Sequence, residues 1–261
     1  MPFVKTPGGQ KVKVNIIKQR VEVRRPKGIK IFVHAYDEGI REYLRQWILE
    51  DLAGGEDFII KVTGPRRKGK STIACDLARG IFPEFSVDNV VYTAKEFGKL
   101  ADSLPASSPE TGQISIILWD EAGYGMFKQR WYEHEQQEII RLLEVNAAKR
   151  LVVFLVAPHN DFINSALQSP TMCKAWIDVG ISQRYGKGWA TIWTGTYHMF
   201  RASGFWNPFC SFRFQAITDD FWSKYEVKKF RFIQEASRLV SKEHRQTSRL
   251  DKILTRLERE L

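Results

Sequence analysis

Cysteine is scarce in this chain: three among 261 residues, at Cys75, Cys173 and Cys210, with no C-x-x-C pair. Such spacing implies neither a zinc site nor a disulfide framework, and it fits a reducing compartment. Long apolar runs are missing too. The densest, Leu151 to Ala157, falls far short of the roughly 20 residues that cross a bilayer. The N-terminus, Met1-Pro2-Phe3-Val4-Lys5, lacks the apolar core of a secretion signal. There is no internal repeat and no long low-complexity tract. The expectation is a cytoplasmic protein without a membrane span. Negative charge is also in deficit. Thirty acidic residues against forty basic ones leave a formal charge of +10 and an isoelectric point near 9.5. A polyanionic partner, nucleic acid or an acidic protein surface, suits that balance.

What is present is enough apolar material for a sizeable core, 43% of residues with 13% aromatic, which excludes a disordered chain. The first thirty or so residues alternate in polarity, as in Val12-Lys13-Val14-Asn15-Ile16 and Val21-Glu22-Val23-Arg24, and predict short half-exposed strands. Ile40, Leu44, Trp47, Ile48 and Leu52 have helical spacing, with Gly54-Gly55 as the stop. Strands are then expected at 58–63, 89–93, 114–119 and 151–156. Helices are expected after 71, at about 95–103 and at about 133–148. Continuous apolar strands alternating with helices predict a mostly parallel central sheet covered on both faces. The stretches 175–181 and 189–193 flank Gly186-Lys187-Gly188 and predict an antiparallel hairpin. A charged helical tail closes the chain. The divisions expected are 1–56 (basic strands and a helix), 57–215 (core with hairpin) and 216–261 (helical basic tail).

The most specific motif is Gly64-Pro65-Arg66-Arg67-Lys68-Gly69-Lys70-Ser71, which fits G-x-x-x-x-G-K-[ST]. An apolar strand leads in and a helix leads out through Thr72. Backbone N–H groups at such a turn converge on one point and suit a nucleotide's β-phosphate. Lys70 would reach the β/γ oxygens and Ser71 would hold Mg²⁺. Fifty residues beyond Lys70, the apolar run Ile114 to Trp119 ends in Asp120-Glu121. At the tip of a buried strand, Asp120 would join Ser71 in organising the metal, and Glu121 would polarise the attacking water. ATP and Mg²⁺ are the cofactors implied. The strand before Ala157-Pro158-His159-Asn160 would bring a polar tip alongside. Asn160 suits a γ-phosphate sensor because an amide hydrogen-bonds without titrating; His159 and a purely structural turn stay open. Arg141 and Arg150 are candidates for a transition-state arginine supplied in trans, Arg66 and Arg67 for one in cis.

These residues give the core, over roughly 58–160, a resemblance to the additional-strand, catalytic-glutamate class of P-loop ATPases. The resemblance implies an α/β fold, a RecA-like P-loop NTPase with a hairpin and helical tail appended. The run Ile114 to Gly123 is similar to the FtsK/HerA type. That group embraces DNA-pumping translocases, viral genome-packaging ATPases and the zonula-occludens-toxin-like ATPases of filamentous phages. It usually places a glutamine where this chain has His159-Asn160. What the resemblance implies is ATP hydrolysis by a ring-shaped homo-oligomer on double-stranded DNA, in a host cytoplasm if viral, with a capsid or portal protein as a possible partner. Three stretches interleave cations with aromatics as a DNA contact would: Phe127 to Tyr132, Arg201 to Phe214, and Lys224 to Arg231. For the second, core packing is the stronger reading. A small-molecule kinase and a nucleotide-gated phage assembly factor are the alternatives.

Overall fold

The computed structural model describes residues 3–5, 11–13, 21–24, 30–35, 38–122, 134–159, 167, 169, 171–181, 188–198, 203–214 and 219–238. Strands β1 (Phe3–Lys5) and β2 (Lys11–Lys13) form a small antiparallel pair. All the others join one nine-stranded sheet. In chain order these are β3 (Val21–Arg24), β4 (Lys30–Ala35), β5 (Phe58–Thr63), β6 (Val90–Val91) and β7 (Ile116–Trp119). β8 (Val152–Val156), β9 (Cys173–Ile181), β10 (Gly188–His198) and β11 (Ser203–Phe214) follow. Across the sheet the order is β3-β4-β11-β10-β9-β5-β8-β7-β6. The five strands from β9 to β6 all run parallel, as the continuous apolar runs require. β8 lies between the loop-bearing strand β5 and the Asp-Glu strand β7, the arrangement that the resemblance to the additional-strand class implies. This is an α/β P-loop fold.

The parallel strands read as unbroken hydrophobic runs because both faces are covered. Every residue of β5, β7 and β8 is buried. On one face α1 (Glu38–Ala53) buries Leu44, Trp47, Ile48 and Leu52, with Trp47 edge-on to Phe58 at 5.0 Å. Beside it α2 (Lys70–Ile81) buries Ile73, Ala74, Leu77 and Ala78. Arg41 of α1 pairs with Asp76 of α2 at 3.1 Å. On the other face Phe97 of α3 (Ala94–Ser103) stacks on Trp119 at 5.2 Å, and Leu143 of α4 (His134–Asn146) joins the same cluster. Fully burying an aliphatic or aromatic side chain of this size stabilises by about 1.5–3 kcal/mol, so these faces dominate the energetics.

Local chemistry sets the boundaries. Thr93 and Glu96 form a reciprocal capping box that starts α3. β6 is shorter than the 89–93 expectation because Asn89 is tied to Ser86 in a tight turn, its Oδ1 accepting from the Ser86 N–H at 2.8 Å. β7 begins two residues late. Ser115 instead donates its hydroxyl to the Pro105 carbonyl at 2.7 Å, and its N–H to Ser107 Oγ at 3.0 Å. α4 stops at Asn146, and a 3-10 turn over Ala147–Lys149 leads to Arg150 at φ 53. Lys149 then caps α3, donating to the carbonyls of Ala101, Asp102 and Leu104.

The antiparallel pairing of β9 with β10 bears out the hairpin signal. The length of β11 was not anticipated. The Arg201–Phe214 stretch is mostly this third strand, paired along β10 with a register shift opposite Ile192/Trp193. Trp193 faces Pro208 there and Ile192 faces Cys210, which leaves Phe209 as the extra residue of a bulge. A proline inside a strand calls for such a bulge, because it cannot donate to the ladder.

The chain divides into two compact units, Met1–Ile217 and Thr218–Leu261. In the second, a helix covers 220–238. Asp219 opens it by accepting from the Trp222 N–H at 3.1 Å. The third basic-aromatic stretch lies on this helix. Tyr225 is buried and stacks on Trp222 at 4.7 Å, while Val227, Phe230 and Ile233 are exposed. No helix among the described residues is long and apolar enough to cross a membrane.

Candidate active site

The glycine motif forms the turn between β5 and α2. Gly64 has φ 147, and a β-carbon there would sit 2.3 Å from the carbonyl oxygen of Val179 on β9. Only glycine lets the chain pass that close. Arg67 sits at φ 58 near the loop's crest, and Gly69 at φ 86 precedes the helix. Arg66 and Arg67 are exposed on this turn. α2 starts at Lys70, and the Ile73 N–H already donates to the Gly69 carbonyl at 2.9 Å. The N–H groups before it lie in the first turn, which the helix's own ladder does not use, at the end of a helix where a phosphate would sit. Lys70 folds back over the turn, its Nζ donating to the Pro65 carbonyl at 2.9 Å.

The second half of the motif is brought to the first. Ser71 Oγ donates to Asp120 Oδ1 at 2.9 Å, although 49 residues separate them. Asp120 is fully buried at the tip of β7, and its N–H donates to the Val91 carbonyl of β6 at 2.9 Å. A hydroxyl and a carboxylate are hard oxygen donors, the kind that suits Mg²⁺ shared with a substrate's phosphates. The pair fits the metal the motif implies. Glu121 follows at φ 57. A non-glycine residue held in this left-handed region costs about 1–3 kcal/mol and persists only where its surroundings impose it.

His159 lies exposed just past β8, at the same end of the sheet as the loop; Asn160 lies outside the described residues, as does the stretch Phe127 to Tyr132. Arg141 is exposed on α4. Arg150 precedes β8, at the end of the sheet remote from the loop. Any contact it made with a γ-phosphate would have to come from a neighbouring subunit.

A single charge stands inside the apolar run of β5, and no sequence pattern gives it a role. Lys61 of β5 is fully buried. Its ammonium lies 4.2 Å from the ring centroid of Trp206 and 4.9 Å from that of Trp176. Burial pushes this ammonium down to about 8 from 10.5, and the ring faces return part of the lost hydration. Nearby Cys173 is pushed up to about 12 by burial and donates its S–H to the Leu167 carbonyl at 2.8 Å. Because the folded state binds the Lys61 proton less tightly than the unfolded chain, this cost is constant below about pH 8. It is relieved as pH rises toward 10.5. Lys61→Met is therefore expected to be more stable than the parent at pH 7, by about 2–3 kcal/mol. The gap should close by pH 10, read as urea midpoints of both proteins at each pH.

No protein-family model matches the sequence, and no curated protein does. Among solved structures, the chain is similar to the flagellar accessory protein FlaH from Methanocaldococcus jannaschii. The identity is 14%, covering 61% of this chain and 90% of that one, at a TM-score of 0.31. A KaiC-like protein from the hyperthermophilic archaeon Pyrococcus horikoshii OT3 matches at 11% identity over the same shares, at a TM-score of 0.32. Likenesses this distant carry no function, substrate or assembly across.

Proposed function

We propose that this chain is a Mg²⁺-dependent ATPase. It works as a ring-shaped homo-oligomer that moves double-stranded DNA, in viral or mobile-element genome packaging or transfer. The observation that carries the ATPase reading is the 2.9 Å contact between Ser71 and Asp120, because a phosphate loop needs a metal-organising carboxylate beside its serine before γ-phosphoryl transfer is within reach. Mg²⁺, when bound, neutralises charge developing on the phosphate oxygens. Around it Lys70 and the loop amides hold the phosphates, while Ser71 and Asp120 present oxygen ligands. Glu121 accepts the proton of the attacking water. Arg66 and Arg67 would reach the phosphates from their own loop; Arg141 and Arg150 would serve a neighbouring subunit's site. Asn160, with His159 as the alternative, would sense the γ-phosphate.

The motor reading is supported by the charge of +10 and by the basic-aromatic stretches. Its test is ATP turnover with and without double-stranded DNA, read against sedimentation mass. Stimulation together with a particle several chains in size is the expected result. A monomer indifferent to DNA would remove the motor and leave the ATPase.

The role of Glu121 is testable separately. Glu121→Gln should retain ATP binding and lose turnover by ~10²–10⁴. Glu121→Gly should lose turnover equally but melt no lower than the parent, since glycine relieves the backbone at φ 57. Phosphate release and thermal melts of both variants check this. Turnover above a tenth of the parent's in either would remove Glu121 from the chemistry.

A further inference from the structure

We infer that Trp176 is a positioning residue for the phosphate loop, holding the last residue of β5 through its indole N–H. The inference rests on the reading of Gly64–Ser71 as the phosphate site. Trp176 Nε1 donates to Thr63 Oγ1 at 2.7 Å, and Thr63 is the residue from which the chain turns into the loop. The next residue, Gly64, is seated against the Val179 carbonyl. Both contacts come from β9, which pairs with β5 in register, Lys61 opposite Trp176 and Thr63 opposite Asp178. The loop's point of departure is therefore fixed from the β9 side, while the metal-facing Asp120 is two strands away on the other side of β5.

The indole is itself held. Trp206 of β11 packs edge-on against it with centroids 5.9 Å apart, and the Lys61 ammonium lies over both rings. Thr63 is almost fully buried, so its hydroxyl exchanges this partner for water only at a cost. Losing the N–H frees the Thr63 side chain to turn. It then blurs the direction in which the Gly64 amide and those after it point. Aimed amides bind phosphate in ground state and transition state alike, so the expected loss falls on KM rather than on kcat.

Trp176→Phe keeps a ring against Lys61 and removes the donor; Thr63→Val keeps the shape and removes the acceptor; Thr63→Ser keeps the acceptor. Steady-state ATP hydrolysis at saturating Mg²⁺ is measured for each, with thermal midpoints. Trp176→Phe and Thr63→Val are each expected to raise KM about fivefold, with kcat within about twofold. The double variant should be no worse than either single one, and Thr63→Ser should match the parent. A double variant whose KM rises by the product of the two single effects overturns the inference, because independent sites multiply. So does a Trp176→Phe protein that melts lower with KM unmoved. A parent protein that neither binds nor hydrolyses ATP overturns the phosphate-site reading and this inference together. Parent turnover with KM unchanged in both single variants overturns the positioning role alone.

Discussion

Lys70→Ala is expected to lower ATP turnover at least a hundredfold while leaving the fold intact. Lys70 opens α2 and bends back over the turn to the Pro65 carbonyl at 2.9 Å, so its ammonium already lies above the cradle of loop amides. Charge on the β/γ oxygens grows during phosphoryl transfer, and a fixed cation there is worth more in the transition state than in the ground state. Removing one preorganised donor to a developing oxyanion costs about 10²–10³ in rate. The contact with the Pro65 carbonyl is a partly exposed hydrogen bond, and its loss costs only about 1 kcal/mol. Lys70→Arg should rescue poorly, because a planar guanidinium does not fit where a compact ammonium does. Phosphate release and a thermal melt on each variant make the check. Undiminished turnover in Lys70→Ala would remove the lysine from the site.

Gly64→Ala is expected to destabilise the fold more than alanine at any other described glycine whose surroundings are known. The new carbon would lie 2.3 Å from the Val179 carbonyl oxygen, and the residue would be held at φ 147. Neither backbone can yield cheaply, since β5 and β9 are bonded neighbours in the sheet. Strain of this kind, added to a steric clash in a close-packed interior, costs about 3 kcal/mol or more. Gly55→Ala is the control. It also has a left-handed backbone, φ 87, but nothing lies within 4 Å of the added carbon, so only the conformational term of about 1–2 kcal/mol applies. Unfolding free energies from urea melts of the two variants should differ by at least 1 kcal/mol, with Gly64→Ala the lower. Equal free energies would mean the loop does not pass against β9 as described.

Much of this arrangement was legible in the residues. The parallel core could be read because strands buried on both faces must be apolar throughout, and β5, β7 and β8 are. Ser71 and Asp120 could be paired in advance because Ser71 lies in the first turn of the helix after β5 and Asp120 follows β7, both at the same end of a parallel sheet. Thr93 and Glu96 carried a capping signal that was there to be read. Other features depend on register, which no local pattern encodes. Trp176 meets Thr63, and Gly64 meets Val179, only because β9 pairs with β5 through a shift between Ile59 and Ile60. β11 escaped notice because Pro208 and the alternation of aromatics with polar residues argue against a strand, and only the bulge at Phe209 reconciles them. Lys61 read as an interruption in an apolar run; its two tryptophan neighbours come from strands more than a hundred residues away.

The most direct test of the central claim is calorimetric titration of the protein with ATP, with and without Mg²⁺, beside Asp120→Asn. If the phosphates sit in the Gly64–Ser71 turn with Asp120 facing them through the metal, the parent binds one ATP per chain more tightly with Mg²⁺ than without. Asp120→Asn should then lose most of that metal dependence. No binding by the parent, or an Asp120→Asn protein with its Mg²⁺ dependence undiminished, would contradict the account.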